Sequence, residues 1–344
     1  MYCEISRPVC ILGLGLIGGS LLRDLKEAGH PVYGYNRSPS VVSKATGEGF
    51  DVSGDLEATL RRASEEDALI VMATPMPVIG KLLEAIAEFA PNCGFTDVVS
   101  VKAEVLALVK AAGLEDNYVG SHPMAGTAES GWSAAQTGLF RGAAWVVTFD
   151  RAEQGEVPGD WLRLWVDVVH LANRVGAEVI PSRVAQHDAA AARVSHLPHI
   201  LAEALAIVGD NGGALALSLA ASSFRDGTRV AATSPSLVRA MCETNHTALL
   251  DAVDECIAIL QDARAHLADS KPNLEELCDA GYRSRIRYEA RSGTSAAKAF
   301  AKAQFASAVP PMSARPVLRI HLAAGDLVSQ LIQAENVGAR IEVV

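Results

Sequence analysis

Pro8-Val9-Cys10-Ile11-Leu12-Gly13-Leu14-Gly15-Leu16-Ile17-Gly18-Gly19-Ser20 joins a short apolar run directly to a glycine-spaced turn. Residues 20–28 then have helical character and stop at Gly29, and Val32–Tyr35 reads as a second strand. Strand, G-x-G-x-x-G, helix and strand within about 30 residues is the setting in which this glycine spacing binds a dinucleotide. Each glycine has its own task. Gly13 makes the tight turn, Gly15 lets backbone approach a pyrophosphate, and Gly18 lets the helix pack closely on its strand. The helix start at Leu16 and Ile17 offers free N–H groups and the positive end of a dipole to the phosphates.

Alternation continues beyond this unit. Apolar strands are expected at Ala68–Met72, Gly94–Asp97, Tyr118–Gly120, Ala144–Thr148 and Ala177–Ile180, with helical patterns at Val78–Phe89 and Ala103–Ala112. This is the pattern of a doubly wound, Rossmann-type α/β sheet. Thr74 and Pro75 follow the Ala68–Met72 strand and mark a loop at its carboxyl end, where such sheets hold their cofactor. At the end of the second strand an acidic residue would bind the ribose 2′-OH of NAD; here stand Asn36, Arg37 and Ser38. A neutral residue beside an Arg fork and a hydroxyl suits a 2′-phosphate better, so NADP is the favoured cofactor, with NAD the alternative. The same residues also suit a plain turn before Pro39.

The bulk composition sets limits. A chain of 344 residues, 49% hydrophobic and 20% charged, has room for two domains and a small third unit. A net charge of −10 argues against nucleic-acid binding, which needs a basic face, and requires local cations for any anionic substrate. Six cysteines without a C-x-x-C pair read as reduced thiols. The apolar run from Pro8 to Leu22 is too short and too rich in glycine to span a membrane, and the N-terminus has no basic leader, so a cytoplasmic protein is expected.

The second half reads differently. Arg183 to Ile207 is Ala-rich and helical with Pro198 as a kink, and another helix is expected from Ser236 to Leu267. Long apolar helices after a dinucleotide domain point to an all-helical dimerisation domain, or to a self-contained bundle. Arg283–Arg291 is basic, Ser292–Met312 resembles a linker, and Arg315–Ala323, Asp326–Ala334 and Arg340–Val344 read as a small βαβ-like tail of unknown role. The expected division is 1–181, 182–282 and 283–344.

Three clusters carry chemistry. Ser121-His122-Pro123-Met124-Ala125-Gly126-Thr127 follows a sheet strand, which places His122 as a general base, although a lone loop histidine is more often incidental. His187-Asp188 and Ser195-His196-Leu197-Pro198-His199 lie on helix; His196 and His199 lack a clear third ligand, so no metal is expected, and substrate contacts or buried hydrogen-bonded histidines are favoured. Ser222-Ser223-Phe224-Arg225-Asp226-Gly227-Thr228-Arg229 reads as a loop whose arginines suit a carboxylate clamp or a solvated turn.

In combination, Gly13–Gly19, Asp97–Lys102, His122–Thr127, His187-Asp188, Ser195–His199 and Phe224–Arg229 resemble the prephenate and arogenate dehydrogenases, in that family's order over about residues 9 to 240. The resemblance implies NAD(P)-dependent oxidative decarboxylation of prephenate to 4-hydroxyphenylpyruvate in tyrosine biosynthesis, or of arogenate to tyrosine. It implies that His122 takes the ring hydroxyl proton and that Ser100 holds His122 and that hydroxyl. It implies Arg229 on a substrate carboxylate, helped by His199, His196 and Thr127, with Ser222 and Arg225 near the cleft of a homodimer. Some members carry Glu at the position of Ala128 and an aromatic residue at that of Val238. Ser236 is non-acidic where arogenate-preferring relatives look acidic, which tilts the reading towards prephenate, although Glu129, Asp226 or Glu243 could serve an ammonium. The rival 3-hydroxyacid dehydrogenase type needs a helical Lys, and no Lys lies between Tyr118 and Lys271.

Overall fold

Val9–Leu12 is buried at every position, as a strand flanked by neighbours and covered on both faces must be. In the computed structural model, which describes residues 5–127, 129–292 and 314–344, this strand (β1) lies between β2 (Val32–Tyr35) and β4 (Leu69–Met72), parallel to both. The sheet order is β3-β2-β1-β4-β5-β6-β7-β8, with β3 at Val52–Ser53, β5 at Phe95–Asp97, β6 at Tyr118–Pro123, β7 at Ala144–Thr148 and β8 at Glu178–Ser182. Strand order reverses between β1 and β4, the crevice where doubly wound sheets bind ligands. The β6–β7 pair is antiparallel, so β7 and β8 run against the rest. Two-residue β3 is too short for its alternation to show in sequence.

Successive residues of β1 face opposite sides. Val9 and Ile11 join one core with Leu21, Leu25, Trp145 and Trp165, while Cys10 and Leu12 join another with Leu60, Ile79, Leu83 and Val105. Helix α1 (Leu16–Glu27), α2 (Pro39–Gly47), α3 (Leu56–Glu65), α4 (Met76–Phe89), α5 (Ala103–Ala111) and α6 (Gly159–Arg174) complete these layers.

The helical half departs from expectation in three places, each with a local cause. Between α7 (Val184–Ala191) and α8 (Leu197–Asn211) lies a π turn, Ala192–His196, which absorbs the change of register just before Pro198; the proline then sits in the first turn of α8, where no N–H is needed. The expected helix Ser236–Leu267 is two, α11 (Pro235–Thr244) and α12 (His246–Ala268), parted at Asn245, whose side chain bonds elsewhere. Residues 222–229 are not a loop: after α9 (Gly213–Ser218), Ser222–Thr228 forms α10 and Arg229–Ala232 a 3-10 turn. Phe224 presses against Gly209 of α8, where a Cβ would meet its ring at 2.4 Å, and this docking holds α10 as helix.

Helix α13 (Glu275–Ser292) runs across residues 282 and 283, and most of the expected linker after it lies outside the described residues. The tail forms a parallel pair, β9 (Val317–Ile320) and β10 (Arg340–Val343), joined through α14 (Leu327–Val337). Its Ile320, Leu331, Ala334 and Ile341 belong to the core that also contains Val179 of β8.

The fingerprint glycines separate two demands. A Cβ on Gly18 would lie 2.0 Å from the Gly13 carbonyl oxygen, whereas one on Gly15 meets nothing within 4 Å. Gly18→Ala is therefore expected to destabilise the fold by about 1–3 kcal/mol through overpacking, while Gly15→Ala keeps the parent melting temperature and weakens dinucleotide binding. Melting curves and cofactor titration on both variants check this; a Gly18→Ala protein as stable as the parent contradicts it.

Candidate functional site

The carboxyl ends of β5 and β6 are locked together by polar groups. Asp97, fully buried, accepts from the Tyr118 hydroxyl at 2.6 Å, from the Val99 amide at 2.9 Å and from the Lys102 ammonium. Lys102, equally buried, also donates to the Ser121 carbonyl at 2.8 Å, and Ser121 Oγ donates to the Asp97 carbonyl at 2.7 Å. Burial pulls the Lys102 ammonium towards neutrality and Asp97 opposes it, with the net effect downward. Burial and Asp97 hold the Tyr118 hydroxyl well above its usual range, so it stays a donor. These bonds fix the strand end that presents His122.

His122 lies within β6 rather than in the following loop. Its Nδ1 is 2.9 Å from His187 Nε2, with the rings edge to face at 76°. His187 Nδ1 is 2.7 Å from Asp188 Oδ1, and the Asp188 oxygens accept from the amides of Lys102 at 2.9 Å and Ala103 at 2.8 Å. Asp188 thereby caps α5, which has no side-chain cap of its own. The network assigns the protons. A carboxylate accepts only, so His187 carries its proton on Nδ1; His187 Nε2 then accepts from His122 Nδ1–H, which leaves His122 Nε2 with a lone pair. Burial first, then the neighbouring His187, Lys102 and His196, hold the His122 pKa well below that of a free histidine. The imidazole is neutral near neutrality and able to take a proton.

His196 is fully buried, with Nδ1 3.0 Å from the Asn245 amide nitrogen, which also donates to the Asp188 carbonyl at 2.9 Å. Its Nε2 is buried without a protein partner, and burial pulls its pKa down to about 4. His199 is half-buried, its pKa lowered chiefly by burial, with the Val230 backbone and Arg229 beside it. Arg229, Ser222 and Arg225 are exposed; Arg225 pairs with Asp226 at 3.6 Å, and Arg229 has no ion pair among the described residues. Thr127 is exposed, and its Oγ1 accepts from the Glu129 amide at 3.2 Å. Ser100 is half-buried and makes no hydrogen bond to His122. Glu243 pairs with Arg239, and Ala128 lies outside the described residues. His122, His187, Asp188, Asn245 and His196 thus form one bonded group, while the arginines of α10 and the turn after it stand apart from it. Asn245 and the Lys102–Asp97 pair escaped sequence reasoning. The one signal for Asn245 was a polar residue flanked by Thr244 and His246 within an otherwise long helical stretch.

At the switch point the chain fits a dinucleotide. Gly13 takes φ +104°, Gly15 opens to free space, and the Thr74 hydroxyl after β4 is buried without a partner. Asn36 Oδ1 accepts from the Ser38 amide at 2.9 Å, which shapes the turn and leaves Arg37 exposed and without an ion pair among the described residues. No group of three or more His, Cys, Asp or Glu side chains is placed to hold a metal among the described residues, and none of the described helices is long and apolar enough to cross a membrane.

Residues 21–174 match the family model described as prephenate dehydrogenase, nucleotide-binding domain, and residues 183–279 match prephenate dehydrogenase, dimerization domain. The chain belongs to the prephenate dehydrogenase family. A solved protein of that assignment from Corynebacterium glutamicum is 60% identical with a TM-score of 0.91, over 99% of this chain and all of the other. The prephenate dehydrogenase of Lactococcus lactis is 34% identical over 65% of this chain, a match that spans 61% of its own length. A Synechocystis arogenate dehydrogenase of solved structure is 29% identical with a TM-score of 0.66, covering 82% of this chain and 99% of its own. Membership carries the dehydrogenase assignment and the two-part architecture, a dinucleotide-binding sheet followed by helices.

The buried histidines tie this dehydrogenase's stability to pH. His196 titrates near 6.5 when unfolded and near 4 when folded, so the unfolded chain binds the extra proton throughout that window. Stability must fall as pH drops from about 6.5 to about 4. His196→Gln is expected to lose less melting temperature than the parent between pH 7 and pH 4.5; equal losses contradict the assignment.

Proposed function

We propose that this protein oxidises and decarboxylates prephenate to 4-hydroxyphenylpyruvate, with His122 as general base. The observation that carries this reading is the hydrogen-bonded chain His122–His187–Asp188 at the carboxyl end of β6, from which it follows that His122 Nε2 is free to accept a proton. The Gly13–Gly18 turn would hold the pyrophosphate of a nicotinamide dinucleotide, which when bound would supply the acceptor for the hydride leaving the hydroxyl-bearing carbon. His122 takes the proton of the ring hydroxyl as the carbon bearing it becomes a carbonyl. Loss of the ring carboxylate as carbon dioxide then yields the aromatic ring, a drive that belongs to the substrate. His187 and Asp188 keep the imidazole in the required tautomer and orientation, with its free nitrogen basic. Ser100 is assigned to the substrate hydroxyl, and Arg229 to a substrate carboxylate with His199, His196 and Thr127 beside it. Ser222 and Arg225 belong to the rim.

Arg37, exposed and without an ion pair among the described residues, stands beside Asn36 and Ser38 and supports NADP over NAD. Leu201, Leu205, Val208, Leu215 and Leu219 are exposed on the helical half, which supports a homodimer built there. The net charge of −10 supports small-molecule rather than nucleic-acid partners. Free cysteines at all five described positions support a reducing, cytoplasmic setting. Residues 1–181, 182–282 and 283–344 remain the proposed divisions, with helix α13 bridging the second boundary. Arogenate is the second candidate substrate, on the similarity to the Synechocystis arogenate dehydrogenase; kinetics with both substrates and both cofactors decide.

His122→Asn is expected to retain cofactor affinity and lose about 10²–10⁴-fold in kcat. Because the His122 pKa is depressed, the base form persists below the usual histidine range. The parent kcat should therefore stay flat down to about pH 6.5 and fall only at lower pH. Turnover of the variant within twofold of the parent removes His122 from the reaction. Arg37→Ala should weaken NADP far more than NAD, and equal losses contradict the 2′-phosphate site.

A further inference from the structure

The tail lies outside both family models, which end at residue 279. Beyond its apolar packing on the sheet, the tail reaches the start of α7 through Glu335 on α14. The Glu335 side chain is only 9% exposed and accepts four hydrogen bonds: from the Arg183 amide at 2.6 Å, from Arg183 Nε at 2.8 Å and Nη2 at 2.5 Å, and from Ser182 Oγ at 3.2 Å. Arg183 stands between β8, the last strand of the nucleotide-binding sheet, and α7, the first helix of the other half. The amide of His187 donates to the Arg183 carbonyl at 2.9 Å. A continuous set of direct contacts therefore runs from Glu335 through Arg183 to His187 and on to His122.

We infer that Glu335 is a positioning residue for the reaction proposed above, on which this inference rests. It fixes the junction at Ser182-Arg183 so that α7 carries His187 and Asp188 into register with His122 and the start of α5. The chemistry suits this task. Arg183 forms the N-cap of α7 without a capping side chain of its own, and two carboxylates from elsewhere supply the missing acceptors: Glu335 for the Arg183 amide and Asp150 for the Val184 amide at 2.9 Å. Negative charge at a helix N-terminus is favourable, and the bidentate Arg fork fixes direction as well as distance. The lever is short. Asp188 stands five residues on from Arg183, about 7.5 Å along the helix at 1.5 Å per residue, so a shift of the helix start at Arg183 is carried directly to the relay. A misplacement of about 1 Å can cost on the order of 100-fold in rate.

The test compares Glu335→Ala and Glu335→Gln with Arg319→Ala, which breaks an exposed 3.5 Å ion pair within the tail and serves as control. For each, kcat and KM with prephenate, the pH profile of kcat, and amide hydrogen exchange over residues 184–191 are measured. The expected result is a fall in kcat of about 10-fold or more for Glu335→Ala, a shifted acid limb of its pH profile and faster exchange in α7. KM should stay within about threefold, Glu335→Gln should be intermediate and Arg319→Ala unchanged. A Glu335→Ala protein with parent kcat and pH profile, even with a lowered melting temperature, overturns the inference and leaves the tail a stability element. Should Glu335→Ala fail to fold, Glu335→Gln decides by the same criteria. A parent without prephenate turnover would instead sink the proposed function, and exchange in α7 would still report whether Glu335 holds the junction.

Discussion

Asp188 joins the two halves of the molecule at the point where chemistry is expected. One oxygen receives the His187 ring proton and the Lys102 amide, and the other receives the Ala103 amide. Burial alone would raise this carboxyl's pKa, but the bond from His187 and the two amides outweigh it and the net shift is downward. The carboxylate therefore stays ionised while buried, and that fixed charge sets the proton order of everything attached to it. His187 is held with its proton towards Asp188, His122 with its proton towards His187, and the far nitrogen of His122 is left basic. The same carboxylate caps α5, so the helix start and the relay hold each other in place.

Around this joint the interior is unusually polar for its depth. Lys102, Asp97, Ser121, His187 and His196 are all buried, yet nearly every polar atom has a partner. A buried ion pair such as Lys102–Asp97 is weak evidence for stability, since desolvation offsets much of the attraction. Its value here is geometric. It ties β5 to β6 and points the last residues of β6 towards α7. The exceptions nearby are His196 Nε2 and His199 Nδ1, with the Thr74 hydroxyl on the nucleotide side; the proposed substrate and cofactor are the groups that would partner them.

Much of this was legible in the sequence. The glycine spacing after β1, the apolar strands of the sheet and the His122 to Thr127 run depend on local chemistry, which one chain displays directly. His187-Asp188 was visible as a doublet, but its link to His122 was not, because 65 residues separate the partners and only the sheet order brings them together. Asn245 was hidden for the same reason: its amide breaks a helix in order to reach Asp188 and His196. The loop expected at residues 222–229 failed because Gly227 and Arg225-Asp226 look like a turn, whereas Phe224 seated on Gly209 imposes a helix that no local signal encodes. The tail's strands were readable, but Glu335 gains meaning only from its contact with Arg183, 152 residues away.

In the proposed reaction His122, His187 and Asp188 act as one unit rather than as separate contributors. A double-mutant cycle on kcat tests this most directly, with His122→Asn, Asp188→Asn and the double variant assayed on prephenate at neutral pH alongside their melting temperatures. If Asp188 acts through His122, each single change is costly and the double variant is no slower than His122→Asn alone. Losses that multiply in the double variant would show that Asp188 acts independently of His122 and would contradict the relay.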